Sequence, residues 1–133
     1  MANPDQRFGL RLLDSSKRMR KCIIKSTYAT ALYIGDPVIK VVGGANTTVV
    51  KSGNEVHEIG TLPEIEKATA GTTNKITGVI VGLEPILTNL NTIHHAASTE
   101  QVAIVCVDPS AEFEIQASGL VANDEIGLNA VLV

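Results

Sequence analysis

The feature that most constrains this fold is a series of short β-branched runs separated by turn-forming residues. Isoleucine, valine and threonine together make up 39 of the 133 residues. Their branched side chains are stiff at χ1 and fit a pleated sheet better than a helix. Glycine, proline, asparagine and aspartate stand between the runs and favour tight turns. The sequence therefore predicts an all-β protein whose strands form a jelly-roll-like β-sandwich or barrel.

Nine strands are predicted, and several turns between them have clear chemistry. Glycine and proline punctuate the chain at Gly35-Asp36-Pro37, at Gly43-Gly44 and at Ser52-Gly53-Asn54. Weaker signals suggest one turn of helix at 14–21 and another at 63–68. The predicted strands cover residues 21–26, 29–34, 38–42, 47–51, 56–59, 75–83, 101–107, 112–117 and 127–133.

Two of these strands have patterns that predict how they are buried. In 112–117, polar and apolar residues alternate, so Phe113 is predicted to face the core. The run 102–107 is apolar throughout, which is typical of a strand between two layers. Cys106 lies in this run and is predicted to be a buried, inert thiol.

Charge divides the chain into two parts. Residues 1–25 contain seven of the eleven basic side chains and only two acids, giving this segment about +5 and the remainder −8. We therefore predict an extended basic N-terminal arm at 1–20 and a single β domain at 21–133. The arm could bind nucleic acid, bind an acidic protein surface or be a solvated tail. Its residues 7–13 mix basic and apolar side chains with the alternation of a strand, a pattern that suits docking onto a partner.

Several function classes lack support in the sequence. Neither a nucleophile motif, a phosphate-binding loop nor a zinc-ligand spacing is present, so no enzyme activity, cofactor or metal is predicted. His94 and His95 are adjacent and are interpreted as a solvated pair, because neighbours in an extended chain point to opposite sides. Nucleic acid is not predicted as a partner, since aromatic residues do not accompany the basic ones. No membrane segment or signal peptide is predicted, which suggests synthesis in the cytoplasm.

One long segment, 84–100, has no predicted strand and yet contains no glycine. Long segments of this kind in compact domains are usually either functional or disordered. Its apolar side chains, which include Leu90 and Ile93, argue against disorder. Two interpretations stay open: the segment packs on its own body, or it packs on a neighbouring subunit.

Several stretches give the chain a resemblance to a known group of proteins. They are 2–10, 30–38, 77–85, Asn89-Leu90-Asn91-Thr92, Ala97-Ser98-Thr99 and 108–114. Together they resemble the cement or decoration proteins of tailed phages, in particular those of short-tailed, Bordetella-phage-like viruses. The resemblance covers most of the chain and consists of turn and strand patterns.

The resemblance implies a jelly-roll domain on the outside of a virion, where it clamps neighbouring copies of the major capsid protein. A homo-oligomer, either a dimer or a trimer, is expected. The residues predicted to touch the capsid belong to the arm and to the long segment. They are Arg7, Phe8, Leu10, Arg11, Arg18, Leu90, Ile93 and His94.

Two alternatives belong to other classes. One is a head–tail or tail structural module, or a receptor-binding β-domain. The other is a small β-barrel enzyme or ligand carrier, which a deep pocket lined by converging polar groups would favour.

Overall fold

The computed structural model describes residues 9–52, 54–71, 75–86, 89–117 and 119–128. Within these ranges the chain forms nine strands and one short 3-10 helix at Asn123–Glu125. No helix in the described ranges is long and apolar enough to cross a membrane. The strands are β1 (Arg11–Leu12), β2 (Met19–Ile24), β3 (Pro37–Ala45), β4 (Val50–Ser52), β5 (Glu55–His57), β6 (Pro63–Lys67), β7 (Gly78–Leu83), β8 (Gln101–Cys106) and β9 (Phe113–Glu114).

Five of the strands close into a barrel in the order β2-β6-β3-β7-β8. β2 runs antiparallel to β8 along its whole length, from Met19 opposite Cys106 to Ile24 opposite Gln101. The other contacts are also antiparallel, except that β2 and β6 run parallel. The predicted all-β class is confirmed, and the architecture is a barrel.

The barrel interior is filled by aliphatic side chains. The strands alternate their side chains between the two faces, and the inward set forms one continuous cluster. Both cysteines are buried and unbridged, and burial raises the pKa of the Cys22 thiol. The burial predicted for Cys106 is therefore found. The cluster consists of Cys22, Ile24, Leu32, Val38, Ile65, Ile80, Ala103 and Val105.

Two small sheets lie outside the barrel. β4 and β5 form a hairpin, and β1 pairs with β9 so that Leu12 lies opposite Phe113 and Arg11 opposite Glu114. Phe113 is only half-buried, so the prediction that its ring faces the core is wrong. The reason is that five other strands already close the barrel, and β9 pairs with β1 outside it.

Several predicted elements differ from the observed ones. Residues 29–34 form no strand and make a single bridge, between Leu32 and His95. The stretch 63–68, which has weak helix signals, contains strand β6, because pairing with β2 and β3 outweighs local preference. Around Asp14 the chain turns, with the Asp14 carboxylate accepting bonds from Ser16, and β2 follows. Of the predicted strand 127–133, residues 129–133 lie outside the described residues, and Gly127 lies in a turn.

From residue 9 onward the N-terminal segment is hydrogen-bonded to later parts of the chain, first to the turn at Gly35 and then to β9. Arg11–Leu12 forms β1, and Met19 and Arg20 already belong to β2, so the predicted arm boundary at residue 20 falls inside a barrel strand. Arg7 and Phe8 lie outside the described residues.

Candidate interaction surface

The first part of the candidate surface is a tight turn at residues 33–36. The Asp36 carboxylate accepts a bond from the Tyr33 backbone N–H at 3.0 Å, and the Asp36 N–H donates to the Tyr33 carbonyl at 3.1 Å. Gly35 adopts a φ of +98°, a conformation that favours glycine. Its N–H donates to the Ile80 carbonyl at 2.8 Å, which fixes the turn on β7. The turn therefore presents Tyr33 and Ile34 to solvent from a rigid base.

The N-terminal segment is tied to this same turn. The Leu10 N–H donates to the Gly35 carbonyl at 2.9 Å. Gly9 lies so close to Gly35 that a Cβ on Gly9 would stand 2.6 Å from the Gly35 oxygen. Glycine at both positions permits this approach, so the backbone of the segment lies directly against the turn.

The long segment 84–100 is also joined to the chain at this turn. Leu32 and His95 exchange two backbone hydrogen bonds, at 2.8 and 3.1 Å, and the His95 ring is fully buried. The ring Nε2 lies 2.6 Å from the Thr99 carbonyl oxygen. His94 points the other way and stacks on Tyr33, with ring centroids 4.9 Å apart. The two histidines do point to opposite sides, but the interpretation of both as solvated is wrong for His95.

Leu90 and Ile93 precede this anchored point and are strongly exposed. The two interpretations of the segment thus apply to different parts of it. Its His95 end packs on its own barrel, while Leu90 and Ile93 face away from the barrel core. The turn, the N-terminal segment and the long segment each contribute side chains to one candidate surface. We call this set of residues the turn–loop surface. It consists of Leu10, Tyr33, Ile34, Leu90, Ile93 and His94.

Six of the eight predicted contact residues lie in the described part of the chain, and they fall into three groups. Leu10, Leu90, Ile93 and His94 belong to the turn–loop surface, although they come from segments some 80 residues apart in the chain. Arg11 pairs with Glu114 across the β1–β9 sheet. Arg18 is exposed beside the Asp108 carboxylate, which accepts a bond from its backbone N–H at 3.3 Å.

Tyr33 and Ile34 were missed by the sequence analysis. They were assigned to the predicted strand 29–34, in which an apolar residue is expected to face a core. The signal that could have identified them is the turn that follows immediately at Gly35-Asp36-Pro37. Apolar residues within a tight turn project from the surface, because the turn itself has no second layer to cover them.

A charged cluster lies on another part of the barrel, beside the β4–β5 hairpin. The Lys21 ammonium contacts the Glu55 carboxylate at 2.5 Å and the Glu84 carboxylate at 2.8 Å. The hydrogen bonds from Glu55 and then Glu84 raise the pKa of Lys21. The same Lys21 contact lowers the pKa of Glu55. The cluster therefore links the hairpin to β2 and to the end of β7.

Replacing Gly9 with alanine is expected to detach the N-terminal segment while leaving the barrel folded. The added Cβ would collide with the Gly35 backbone, which cannot move without disturbing its bond to β7. Limited trypsin digestion should then cut at Arg11 several-fold faster, with little change in the thermal melt. Gly119→Ala is the control, because a Cβ there meets no atom within 4 Å. An unchanged cleavage rate in Gly9→Ala would show that the close approach of Gly9 to Gly35 does not hold the N-terminal segment in place.

The contribution of Glu55 to stability is expected to depend on pH. Because its pKa is lowered in the folded state, the stabilisation is present above the ordinary carboxyl pKa and is lost as pH falls through the folded pKa. Glu55→Gln should therefore lower stability at pH 7 and have little effect near pH 3. Urea unfolding at both pH values measures this, with the neighbouring exposed Glu58→Gln as control. An equal loss at both pH values would argue against the ion pair.

The described residues contain no group of three or more histidine, cysteine, aspartate or glutamate side chains able to hold a metal ion. No protein-family model matches the chain, and comparisons with curated proteins and with solved structures found no match.

Proposed function

We propose that the protein is a non-enzymatic structural component of a virion that binds the outside of a tailed-phage head and cements neighbouring major capsid protein subunits. In this proposal the chain is made in the host cytoplasm and acts as a homo-oligomer, a dimer or a trimer, on the capsid exterior. The proposal combines the sequence resemblance with the geometry of the turn–loop surface.

The observation that carries the proposal is the exposure of large apolar side chains on a turn and an adjoining segment that are both hydrogen-bonded to the rest of the fold. Ile93 is 84% exposed, Leu90 66%, Ile34 56% and Tyr33 52%. Exposed apolar residues are normal on a surface, but these four come from one turn and from the segment joined to it through Leu32–His95 and Tyr33–His94, an arrangement that suits an interaction site. Burying one such side chain fully contributes about 1.5–3 kcal/mol before the costs of association. A rigid base lowers those costs because little has to be ordered on binding.

The surface also suits a lattice of identical partners. A small barrel can contact only a limited area of a capsid, so each individual contact is expected to be modest. When several copies are joined in one oligomer and each meets a capsid subunit, binding of the second copy becomes effectively intramolecular. Modest contacts can then resist the separation of capsomers.

Attachment to heads that lack the protein tests the proposal. We expect the double variant Tyr33→Ser/Ile93→Ser to lose attachment by at least about tenfold, equivalent to about 1.4 kcal/mol. Val42→Ser/Ile59→Ser is the matched control, because both residues are exposed and lie outside the turn–loop surface. Co-sedimentation measures binding, and thermal melts confirm that both variants fold. Equal attachment of the two variants would refute a role for the surface.

Copy number in the virion separates cementing from the alternatives. Hundreds of copies are expected of a cement protein, whereas a head–tail module would be present in about a dozen and a receptor-binding domain at the tail. Subunit-resolution imaging of purified particles gives both the number and the position. If the density of the protein were confined to the head–tail junction or the tail, the cementing proposal would be refuted in favour of a head–tail module or a receptor-binding domain.

A further inference from the structure

The C-terminal segment 119–128 contains apolar side chains that the barrel does not cover. All ten of its residues are exposed, Leu120 at 98% and Ile126 at 80%. Among the described residues, its hydrogen bonds join members of the segment only to one another. Four uncovered large apolar residues in ten are typical of a segment that is buried against a partner. They are Leu120, Val121, Ile126 and Leu128.

One end of the barrel has two basic side chains on its inner face. Arg20 in β2 lies directly opposite Val105, and Lys40 in β3 lies directly opposite Ile65. Residues opposite each other on neighbouring strands project to the same face, and Val105 and Ile65 fill the barrel interior. Arg20 and Lys40 therefore belong to the interior face, although both are exposed.

Both basic side chains lie at the same end. β6 runs parallel to β2 and antiparallel to β3, so the start of β2 and the part of β3 that contains Lys40 meet at one end of the barrel. The Arg20 and Lys40 charges both act on the Cys22 thiol, where they oppose the burial that raises its pKa. Neither Arg20 nor Lys40 forms an ion pair with any described residue.

Apolar side chains border these two charges. Val107 packs on the interior cluster, and its N–H donates to the Arg18 carbonyl at 3.0 Å, next to the start of β2. The Thr77 hydroxyl accepts a bond from the Lys40 N–H at 3.0 Å, which places the exposed Ile76 beside β3. We call this set of residues the barrel mouth. It consists of Arg20, Lys40, Ile76 and Val107.

The segment and the barrel mouth are complementary. The segment contains Asp124 and Glu125 and no basic residue, whereas the mouth contains two cations without described partners. In both sets the charges lie beside apolar side chains, so one contact can bury apolar surface and pair opposite charges together. Because one chain carries both surfaces, the partner that fits each surface is a second copy of the chain.

We propose that segment 119–128 of one copy binds the barrel mouth of another copy. Two copies can exchange their segments reciprocally, and three can form a closed ring. The inference assigns an interface to the expected homo-oligomer, and it does not rest on cementing because the contact forms in the purified chain.

Sedimentation equilibrium of the purified full chain measures this self-association over a dilution series. We expect a Kd on the order of micromolar, weakened at high salt because the paired charges are exposed. Arg20→Glu/Lys40→Glu and Asp124→Lys/Glu125→Lys should each weaken Kd at least about tenfold, because like charges then face each other.

The apolar part of the contact has its own variant. Leu120→Ser/Ile126→Ser should also weaken Kd at least about tenfold, because it removes apolar surface that the contact buries. Lys51→Glu/Glu58→Lys is the matched control, since both residues are exposed and lie outside the two surfaces. It should associate like the unmodified chain, and thermal melts confirm that every variant folds.

A mixing experiment distinguishes exchange between copies from a segment that folds back on its own barrel. Each charge-reversed variant alone should stay monomeric. An equimolar mixture of the two should associate, because each segment then finds a mouth of opposite charge on the other chain. An unmodified chain that is monomeric at every concentration, a control that weakens as much as the variants, or a mixture that stays monomeric would each overturn the proposal. None of these outcomes bears on capsid attachment, because the assay contains no heads.

Discussion

Replacing Ile80 with alanine is expected to lower the free energy of unfolding by about 2–5 kcal/mol. Ile80 lies in β7, is fully buried and belongs to the central cluster of the barrel. The change removes three buried side-chain carbons. It leaves a cavity that the surrounding strands cannot readily fill, because the closed barrel holds them in place. A domain of this size has only about 5–15 kcal/mol of stability, so a large part of it would be lost.

Urea unfolding gives the measurement, with the midpoint and the slope fitted together. Ile93→Ala is the matched control, because it removes the same atoms from a side chain that is largely exposed, and we expect a change within about 0.5 kcal/mol. The expectation would be wrong if both variants lost similar stability. In that case the cluster around Ile80 would not be the main core.

Gly78→Ala is expected to be nearly as damaging, although it adds an atom. A Cβ at Gly78 would lie well inside 3.0 Å of the Cys106 carbonyl oxygen and the Val105 side chain. One of these contacts is with backbone, so β7 and β8 would have to separate locally. Overpacking of this kind typically costs about 1–3 kcal/mol, occasionally more.

Gly82 provides the control on the same strand. A Cβ there would meet only the Ile104 side chain, at 3.5 Å or more, which is ordinary van der Waals contact. Gly82→Ala should therefore leave the urea midpoint nearly unchanged. Similar midpoints for the two alanine variants would show that β7 and β8 are less closely packed than the structure indicates.

The strands that make up the barrel could largely be predicted from their composition. β2, β3, β7 and β8 all lie within predicted strands or overlap them, because runs of valine and isoleucine need a pleated and buried surface. The strand conformation of β6 is harder to predict from sequence, because Pro63 followed by acidic residues also suits the first turn of a helix. Its strand conformation depends on pairing with two distant strands, which local sequence does not specify.

The candidate surface was predicted only in part. Exposed apolar residues such as Leu90 and Ile93 could be identified because their segment had no strand pattern. The contribution of Tyr33 could not, because the alternation rule places such residues in a core unless the turn beside them is known. The anchoring role of His95 depends on its bridge to Leu32, a contact between residues 63 positions apart.

The number of strands in the barrel has a consequence for how it opens. Around a closed ring, neighbours can alternate in direction only if their number is even, so a ring of five must contain one pair that runs the same way. Here that pair is β2 and β6, matched at Ile23 and Glu64, and the ion pair of Lys25 with Glu64 lies across it. Parallel pairing is slightly less stable per residue, and this contact is short. Parity therefore gives the wall a parallel seam between β2 and β6, and this seam and the similarly short β3–β7 pairing are the places where the barrel should open first.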